Sequence, residues 1–213
     1  MNHTLRYLFF LLVVRPVVLI VLGLNIRRHE LLPRGGPAIV VANHNSHLDA
    51  FALMSLFPLR LLPRLRPVAA ADYFFKNAVR AWFATKIVGI IPLQRDVKKE
   101  RRDPLCDLSA ALERGEILVL FPEGSRGQPE QRAEFKTGVA HLAKRHPEVP
   151  VTAVFMHGLG KSLPRGERVL VPFFCDIFVG EPVTWTGDRE SYMNLLNERF
   201  DALASEARIP EWK

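Results

Sequence analysis

Along most of the chain, short continuous apolar runs alternate with stretches in which apolar residues return every three or four positions. That change of period marks strands alternating with helices. Ala38 to Ala42 is a β-branched apolar run and predicts a buried strand. It ends in the polar cluster Asn43-His44-Asn45-Ser46-His47, and from about His47 to Phe57 the spacing becomes helical. Ser46 is placed to cap that helix, with Asp49 at the capping-box position three residues on. Val68 to Ala71 and Ile87 to Leu93 read as further strands; Pro92 predicts that the second lies at an edge or ends early. Between them, Asn77 to Lys86 predicts an amphipathic helix with Val79, Trp82 and Phe83 on one side. Leu105, Leu108, Ala111 and Leu112 predict a helix that stops at Gly115. Ile117 to Phe121 is the clearest buried strand, and it runs into a second polar cluster, Pro122-Glu123-Gly124-Ser125-Arg126-Gly127.

Phe135-Lys136-Thr137-Gly138 opens another helix, with Val139, Leu142 and Ala143 inward. Val149 to Met156 predicts a strand, and Arg168 to Val183 is β-rich. The loop from Gly158 to Gly166 takes no assignment. Tyr192, Leu196, Phe200, Leu203 and Ala207 recur at helical spacing and predict a C-terminal helix packed on the sheet. The alternation implies an α/β layer fold, with one mostly β-sheet core flanked by helices.

The N-terminus breaks the pattern. Leu8 to Val14 and Val17 to Leu24 are apolar, and Arg15-Pro16 divides them. An arginine at the midpoint of a membrane span is costly, and Pro16 removes a helical hydrogen bond. The pattern favours a kinked hairpin or in-plane anchor, with Arg6, Arg15, Arg27 and Arg28 reaching toward headgroups. A single spanning helix with Arg15 snorkelling is the alternative. The residues after Gly23 offer no small-residue cleavage site, which argues against a signal peptide. Residues 1–28 are thus expected to form an N-terminal membrane anchor, and 29–213 one domain. Arg60, Arg64 and Arg66 read as a basic, apolar loop that is either solvated or in contact with lipid phosphate.

With 213 residues the chain suffices for one domain with a full core. Its formal net charge of +7 points to an anionic partner: nucleic acid, an acidic membrane surface or a phosphorylated substrate. No nucleic-acid-binding signature is present, so nucleic acid is not the expected partner. Cys106 and Cys175 are too few and too far apart for a disulfide framework, so a reducing compartment is the default.

The candidate chemistry lies where the first strand ends. On a continuous helix, residues five apart diverge by roughly 140°. A strand-to-helix bend instead folds the Asp49 carboxylate back onto His44. One ring nitrogen is then held while the other faces a substrate proton, a base with its orienter and no protein nucleophile between them. The structural alternative gives Asp49 a capping role and His44 a backbone hydrogen bond. A metal site of His44, His47 and Asp49 is a further alternative, though no other His or Cys cluster completes it. The second polar cluster also sits at a strand end, where open α/β sheets place ligands. Lys136 at a helix start runs against the dipole preference and is best explained by a bound anion.

The segment Asn43-His44-Asn45-Ser46-His47-Leu48-Asp49 resembles the His-(four residues)-Asp motif of the glycerolipid acyltransferases. Phe121-Pro122-Glu123-Gly124-Ser125-Arg126 is similar to that family's Phe-Pro-Glu-Gly-Thr-Arg block, with Ser in place of Thr. Gly89-Ile90-Ile91-Pro92-Leu93-Gln94-Arg95 resembles the block between them, and Val149-Pro150-Val151-Thr152-Ala153-Val154 the Pro-containing strand that follows. The blocks stand in the family's order, and the nearest likeness is to the 1-acylglycerol-3-phosphate acyltransferase, or lysophospholipid acyltransferase, branch.

The resemblance implies a glycerol-3-phosphate acyltransferase-like fold in which the His44 and Glu123 blocks meet at one site. It also implies acyl transfer from an acyl-CoA or acyl carrier protein thioester to the free hydroxyl of a lysophospholipid acceptor. An imidazole suits that step, because a hydroxyl must lose its proton near neutral pH. His44 is then the general base and Asp49 its orienter, so neither Ser46 nor Ser125 is needed as nucleophile. By the same resemblance Arg95 and Arg126 bind the acceptor phosphate with Lys136 assisting, while Glu123, Gly124 and Ser125 shape the acceptor site. Backbone N–H groups near Ser46 or in the Gly124 turn are the expected oxyanion donors. No cofactor is expected beyond the thioester co-substrate. The expected location is an anionic membrane surface, anchored through the N-terminus with the active site on the cytoplasmic side. Gln94 and Pro92 depart from the usual second block, which keeps another acceptor, such as an ornithine lipid precursor, in view. A lipid-binding protein without turnover is the non-enzymatic alternative.

Overall fold

The computed structural model describes residues 3–46, 48–71, 77–94, 103–124, 134–162 and 174–207. Its centre is a seven-stranded sheet in the order β1-β7-β6-β2-β5-β3-β4. The strands are β1 (Leu24–Arg27), β2 (Ala38–Ala42), β3 (Leu65–Ala70), β4 (Ile91–Leu93), β5 (Ile117–Leu120), β6 (Val151–His157) and β7 (Cys175–Val179). From β6 to β4 all five neighbours run parallel. β7 is antiparallel to β6, and β1 runs parallel to β7.

Helices cover both faces, which is why the central strands are apolar at every position rather than at alternate ones. Every residue of β2 is buried. Ala38, Val40 and Ala42 enter the core on one face, and Ile39 and Val41 enter the core on the other. The first face carries α2 (Asp49–Ser55) and the N-terminal helix α1. The second carries α4 (Cys106–Glu113), α5 (Gly138–Arg145) and the C-terminal α7 (Arg189–Ala207). Leu108, Leu142, Leu196 and Phe200 form its buried seam, as their spacing predicts. A short helix α6 (Leu159–Ser162) follows β6, and Asn77 caps α3 (Ala78–Trp82) by accepting the Val79 N–H at 2.9 Å.

The N-terminal segment departs from its expectation. No hairpin forms at Arg15-Pro16. α1 (His3–Phe9) continues through two π-helical stretches, Phe10–Val14 and Val17–Val21, with Pro16 in ordinary helical conformation between them. Arg6, Phe10, Val14, Val18 and Leu22 make one buried stripe at a spacing of four. On an α-helix such a stripe would drift by about 40° at each step, whereas the wider i→i+5 turn keeps it facing the sheet. The rod is roughly 28 Å long at the α-helical rise, close to the roughly 29 Å that seven strands span. It crosses the whole face, from β1 at one edge to Leu65 and Gly89 beside β3 and β4 at the other.

The arginines expected at headgroups bind the protein instead. Arg6 is 1% exposed and its Nη2 donates to the Leu65 carbonyl at 2.8 Å. Arg15 Nη2 donates to the Phe57 carbonyl at 2.8 Å. Arg27 lies over the Phe178 ring, and Arg28 donates to the Val179 carbonyl and to Glu206. A long side chain beside a helix end finds orphan carbonyls within reach, and a buried guanidinium needs them. Leu24–Arg27, within the segment expected to anchor the chain, is a strand of the sheet.

Two smaller corrections have local causes. The run Ile87 to Leu93 is helical through Val88 (the π-helical stretch Phe83–Val88 that extends α3), and only Ile91–Leu93 is strand. Gly89 ends the helix at φ 79°, and a side chain there would meet the Arg6 guanidinium. β4 does occupy a sheet edge, where Pro92 is tolerated. Arg66 lies in β3 rather than in a loop, 3.7 Å from Glu116, while Arg60 and Arg64 are exposed on the 3₁₀ segment Leu59–Arg64. Of the β-rich stretch, residues 168–173 lie outside the described residues.

Candidate active site

β2 and β5 are neighbours in register, with Val41 beside Leu120. Their C-terminal ends therefore bring the two polar clusters together. At the end of β2, His44 Nδ1 lies 2.9 Å from Asp49 Oδ2. The same oxygen accepts the backbone N–H of Asn45 at 2.6 Å and of Ser46 at 2.8 Å. Three donors converging on one oxygen close the bend between strand and helix. The Asp49 link to Ser46 N–H is the carboxylate half of a capping box. The other half is absent: α2 begins at Asp49 itself, and the Ser46 hydroxyl accepts the N–H of Leu48 instead.

Asp49 is 1% exposed, while the His44 side chain is 23% exposed, so the carboxylate lies behind the ring and the ring opens outward. With Nδ1 engaged, Nε2 is the atom left for a substrate. The ring stacks on Phe121, with centroids 4.3 Å apart and planes inclined by 26°.

The second cluster is fastened to the first through Glu123, which is 4% exposed and whose Oε1 accepts the backbone N–H of His44 at 3.1 Å. Gly124 turns the chain at φ 71°, and the Lys136 Nζ lies 2.7 Å from where a Cβ on Gly124 would sit. Lys136 is held there by its own backbone, whose N–H donates to the Pro122 carbonyl at 2.9 Å. So His44, Asp49, Glu123, Gly124 and Lys136 form one neighbourhood. Arg95, Ser125 and Arg126, and His47 of the metal alternative, lie outside the described residues.

Two residues around His44 carried no sequence expectation. Asn43 is 1% exposed, and its side chain pairs twice with Met156: Nδ2 donates to the carbonyl at 2.8 Å, and Oδ1 accepts the N–H at 2.7 Å. It prolongs the β2–β6 ladder by one rung after the backbone has turned away. Its sequence signal is a polar residue directly after a fully buried strand. Phe121, the ring under His44, is visible only as the last apolar residue of its strand.

Of the N–H groups near Ser46 and in the Gly124 turn, four have acceptors within the protein: Asn45 and Ser46 donate to Asp49, His44 to Glu123, and Gly124 to the Phe121 carbonyl at 3.0 Å. Those of His47 and Ser125 lie outside the described residues. Among the described residues, the Lys136 ammonium is the cation that borders the turn.

A model of the acyltransferase family matches residues 23–157. The chloroplastic 1-acyl-sn-glycerol-3-phosphate acyltransferase LPAT1 of Arabidopsis thaliana is 30% identical over 68% of this chain and 39% of the plant protein. Human 1-acyl-sn-glycerol-3-phosphate acyltransferase alpha is 26% identical over 76% of this chain and 56% of the human one. The lyso-ornithine lipid O-acyltransferase of Rhizobium meliloti is 28% identical over 68% of this chain and 48% of that protein. The chain thus spans less than two thirds of the length of these relatives. In fold it is similar to the 1-acyl-sn-glycerophosphate acyltransferase PlsC of Thermotoga maritima, with a TM-score of 0.74 over 97% of this chain and 80% of that one, at 19% identity.

Proposed function

Because the chain belongs to the acyltransferase family, we propose that it moves a fatty acyl group from an acyl-CoA or acyl carrier protein thioester to the free hydroxyl of 1-acylglycerol-3-phosphate, giving phosphatidate. The observation that carries this reading is the His44–Asp49 pair opening beside the Pro122–Gly124 turn. His44 Nε2 takes the hydroxyl proton as the acceptor oxygen attacks the thioester carbonyl carbon. The tetrahedral intermediate collapses, the carbon–sulfur bond breaks, and the imidazolium returns its proton to the leaving thiolate. Asp49 holds the ring in the tautomer that leaves Nε2 unprotonated and stabilises the imidazolium. Arg95 and Arg126 would bind the acceptor phosphate, with Lys136 assisting there or at the developing oxyanion. Glu123, Gly124 and Ser125 would shape the acceptor site.

We assign residues 1–28 to membrane association and 29–213 to the catalytic domain, with the site on the cytoplasmic side. Among the described residues one helix, His3–Ile20, is long and apolar enough to cross a membrane. Its buried stripe favours the in-plane alternative, because the helix rests one side on the sheet and turns Leu5, Leu8, Leu12 and Ile20 outward.

A panel of lysolipid acceptors assayed by thiol release, with each donor in turn, tests the reaction. 1-Acylglycerol-3-phosphate should support release, and Arg126→Ala should raise its KM far more than that of the donor. A preference for a lyso-ornithine acceptor would favour the second reading, to which the Rhizobium relative gives support. No release with any acceptor would leave a lipid-binding protein.

A further inference from the structure

Among the described residues, every large apolar side chain left exposed lies on α1 and its π-helical continuation, on α3 or at Phe174. The three places adjoin. Phe9 of α1 meets Phe83, at the end of α3, edge to face with centroids 5.3 Å apart. The Phe174 ring covers Gly23 at the other end of α1. On α3 the apolar side faces outward: Val79 is 73% exposed and Trp82 50%.

We propose that α3 is a second membrane-contacting element, and that Val79 and Trp82 enter the same leaflet as the outer face of α1. This rests on the membrane association proposed above. Two observations favour a lipid surface over other occupants. The apolar surface is continuous from α1 to α3, so a bilayer lying on one touches the other. The exposed cations also flank it. The N-terminal arginines are taken up by the protein's own carbonyls and rings. Arg60 and Arg64 on the 3₁₀ segment and Lys86 on the π-helical stretch, both of which pack against α1, are exposed, as is Arg80 on α3. Tryptophan among cations is the composition of a headgroup boundary.

The placement bears on function. α3 follows the C-terminal end of β3, the end at which β2 and β5 present His44 and Glu123, and it runs back toward the start of β4. Membrane contact at α3 therefore holds the mouth of the site, and not only the far end of the N-terminal rod, against the bilayer. A lysolipid could then enter from the leaflet without crossing water.

The test uses the full chain with vesicles of phosphatidylcholine and phosphatidylglycerol. In a Trp185→Phe, Trp212→Phe background, Trp82 should be quenched by phosphatidylcholine brominated along the acyl chains. Val79→Asp with Trp82→Asp should lower vesicle partitioning by about tenfold or more, since two buried apolar side chains are lost. Both positions are exposed, so the melting temperature should not fall. A wild-type chain that binds while Trp82 stays unquenched and the double variant binds equally would overturn the role of α3 alone. A wild-type chain that does not bind these vesicles would overturn the membrane reading together with it.

Discussion

His44 and Asp49 stand five positions apart, yet Nδ1 of one lies 2.9 Å from Oδ2 of the other, because the backbone changes from strand to helix between them. The contact depends on that bend. The bend in turn depends on the carboxylate, which also takes the N–H groups of Asn45 and Ser46.

Asp49→Asn should separate the charge of the carboxylate from its place in the fold. The amide oxygen, standing where Oδ2 is, still accepts from the two backbone N–H groups and from Nδ1–H. The amide carries no charge, so it cannot stabilise the imidazolium as it forms. Loss of the equivalent orienter in a triad costs about 10⁴-fold in kcat, and a fall of two orders of magnitude or more in thiol release is expected here. His44→Ala should abolish release outright. Both variants should keep the wild-type circular dichroism spectrum. Near-normal turnover in His44→Ala would remove His44 as the base, and in Asp49→Asn would remove Asp49 as its support.

Glu123→Ala and Glu123→Gln should diverge. Oε1 accepts the His44 backbone N–H in a buried setting. Alanine strands that donor at about 1–3 kcal/mol, a fall of several degrees in Tm for a chain of this length. It also frees His44 from the Pro122–Gly124 turn. Glutamine retains a carbonyl acceptor and should recover most of the Tm. Any kcat deficit that remains in the glutamine variant then measures the charge rather than the tether. Equal Tm values for the alanine variant and wild type would count against the tether.

The parts of the fold that were legible in advance are those where one neighbour decides the outcome. β2, β5 and β6 are apolar throughout because layers cover both faces, and such runs allow few other readings. The His44–Asp49 contact was legible because a strand end, a cap position and a short spacing leave one way to fold the side chains together. The outward turn of Val79 and Trp82 was not legible, because helical periodicity says which residues share a face, not what that face meets. The four N-terminal arginines were misjudged because a long, flexible side chain reaches lipid and carbonyl equally well in sequence terms. β1 escaped notice because Leu24–Arg27 is short and follows directly on an apolar helix.

Asn43→Ala should reveal how far the β2–β6 rung supports the site. The substitution leaves the Met156 N–H and C=O without their partners, both buried beside His44. A cost of about 2–4 kcal/mol is expected from two lost buried hydrogen bonds. Asn43→Asp keeps the acceptor but turns a second oxygen toward the Met156 carbonyl, so it should not rescue. If the rung positions His44, kcat should fall at temperatures where the variant remains folded, while KM for the donor stays near wild type. A stability loss without a kcat effect would confine Asn43 to the fold.

Tyr192 carries the one buried phenol of the C-terminal seam, and its hydroxyl has no hydrogen-bond partner among the described residues. Burial pushes its pKa up from the ordinary tyrosine value, because the phenolate would lose its hydration. The sign follows from the protons each state binds. In the unfolded chain the phenol ionises near pH 10, while in the folded chain it stays neutral to higher pH. Above about pH 10 the folded state therefore holds more protons, and stability falls as pH rises. Tyr192→Phe removes both the unpaired hydroxyl and this titration, and the ring can keep its place 5.4 Å from Trp185. The variant should match or exceed wild-type Tm near neutral pH and should lose stability less steeply from pH 10 upward. A lower Tm with the same alkaline slope would mean that the hydroxyl holds a stabilising partner in solution.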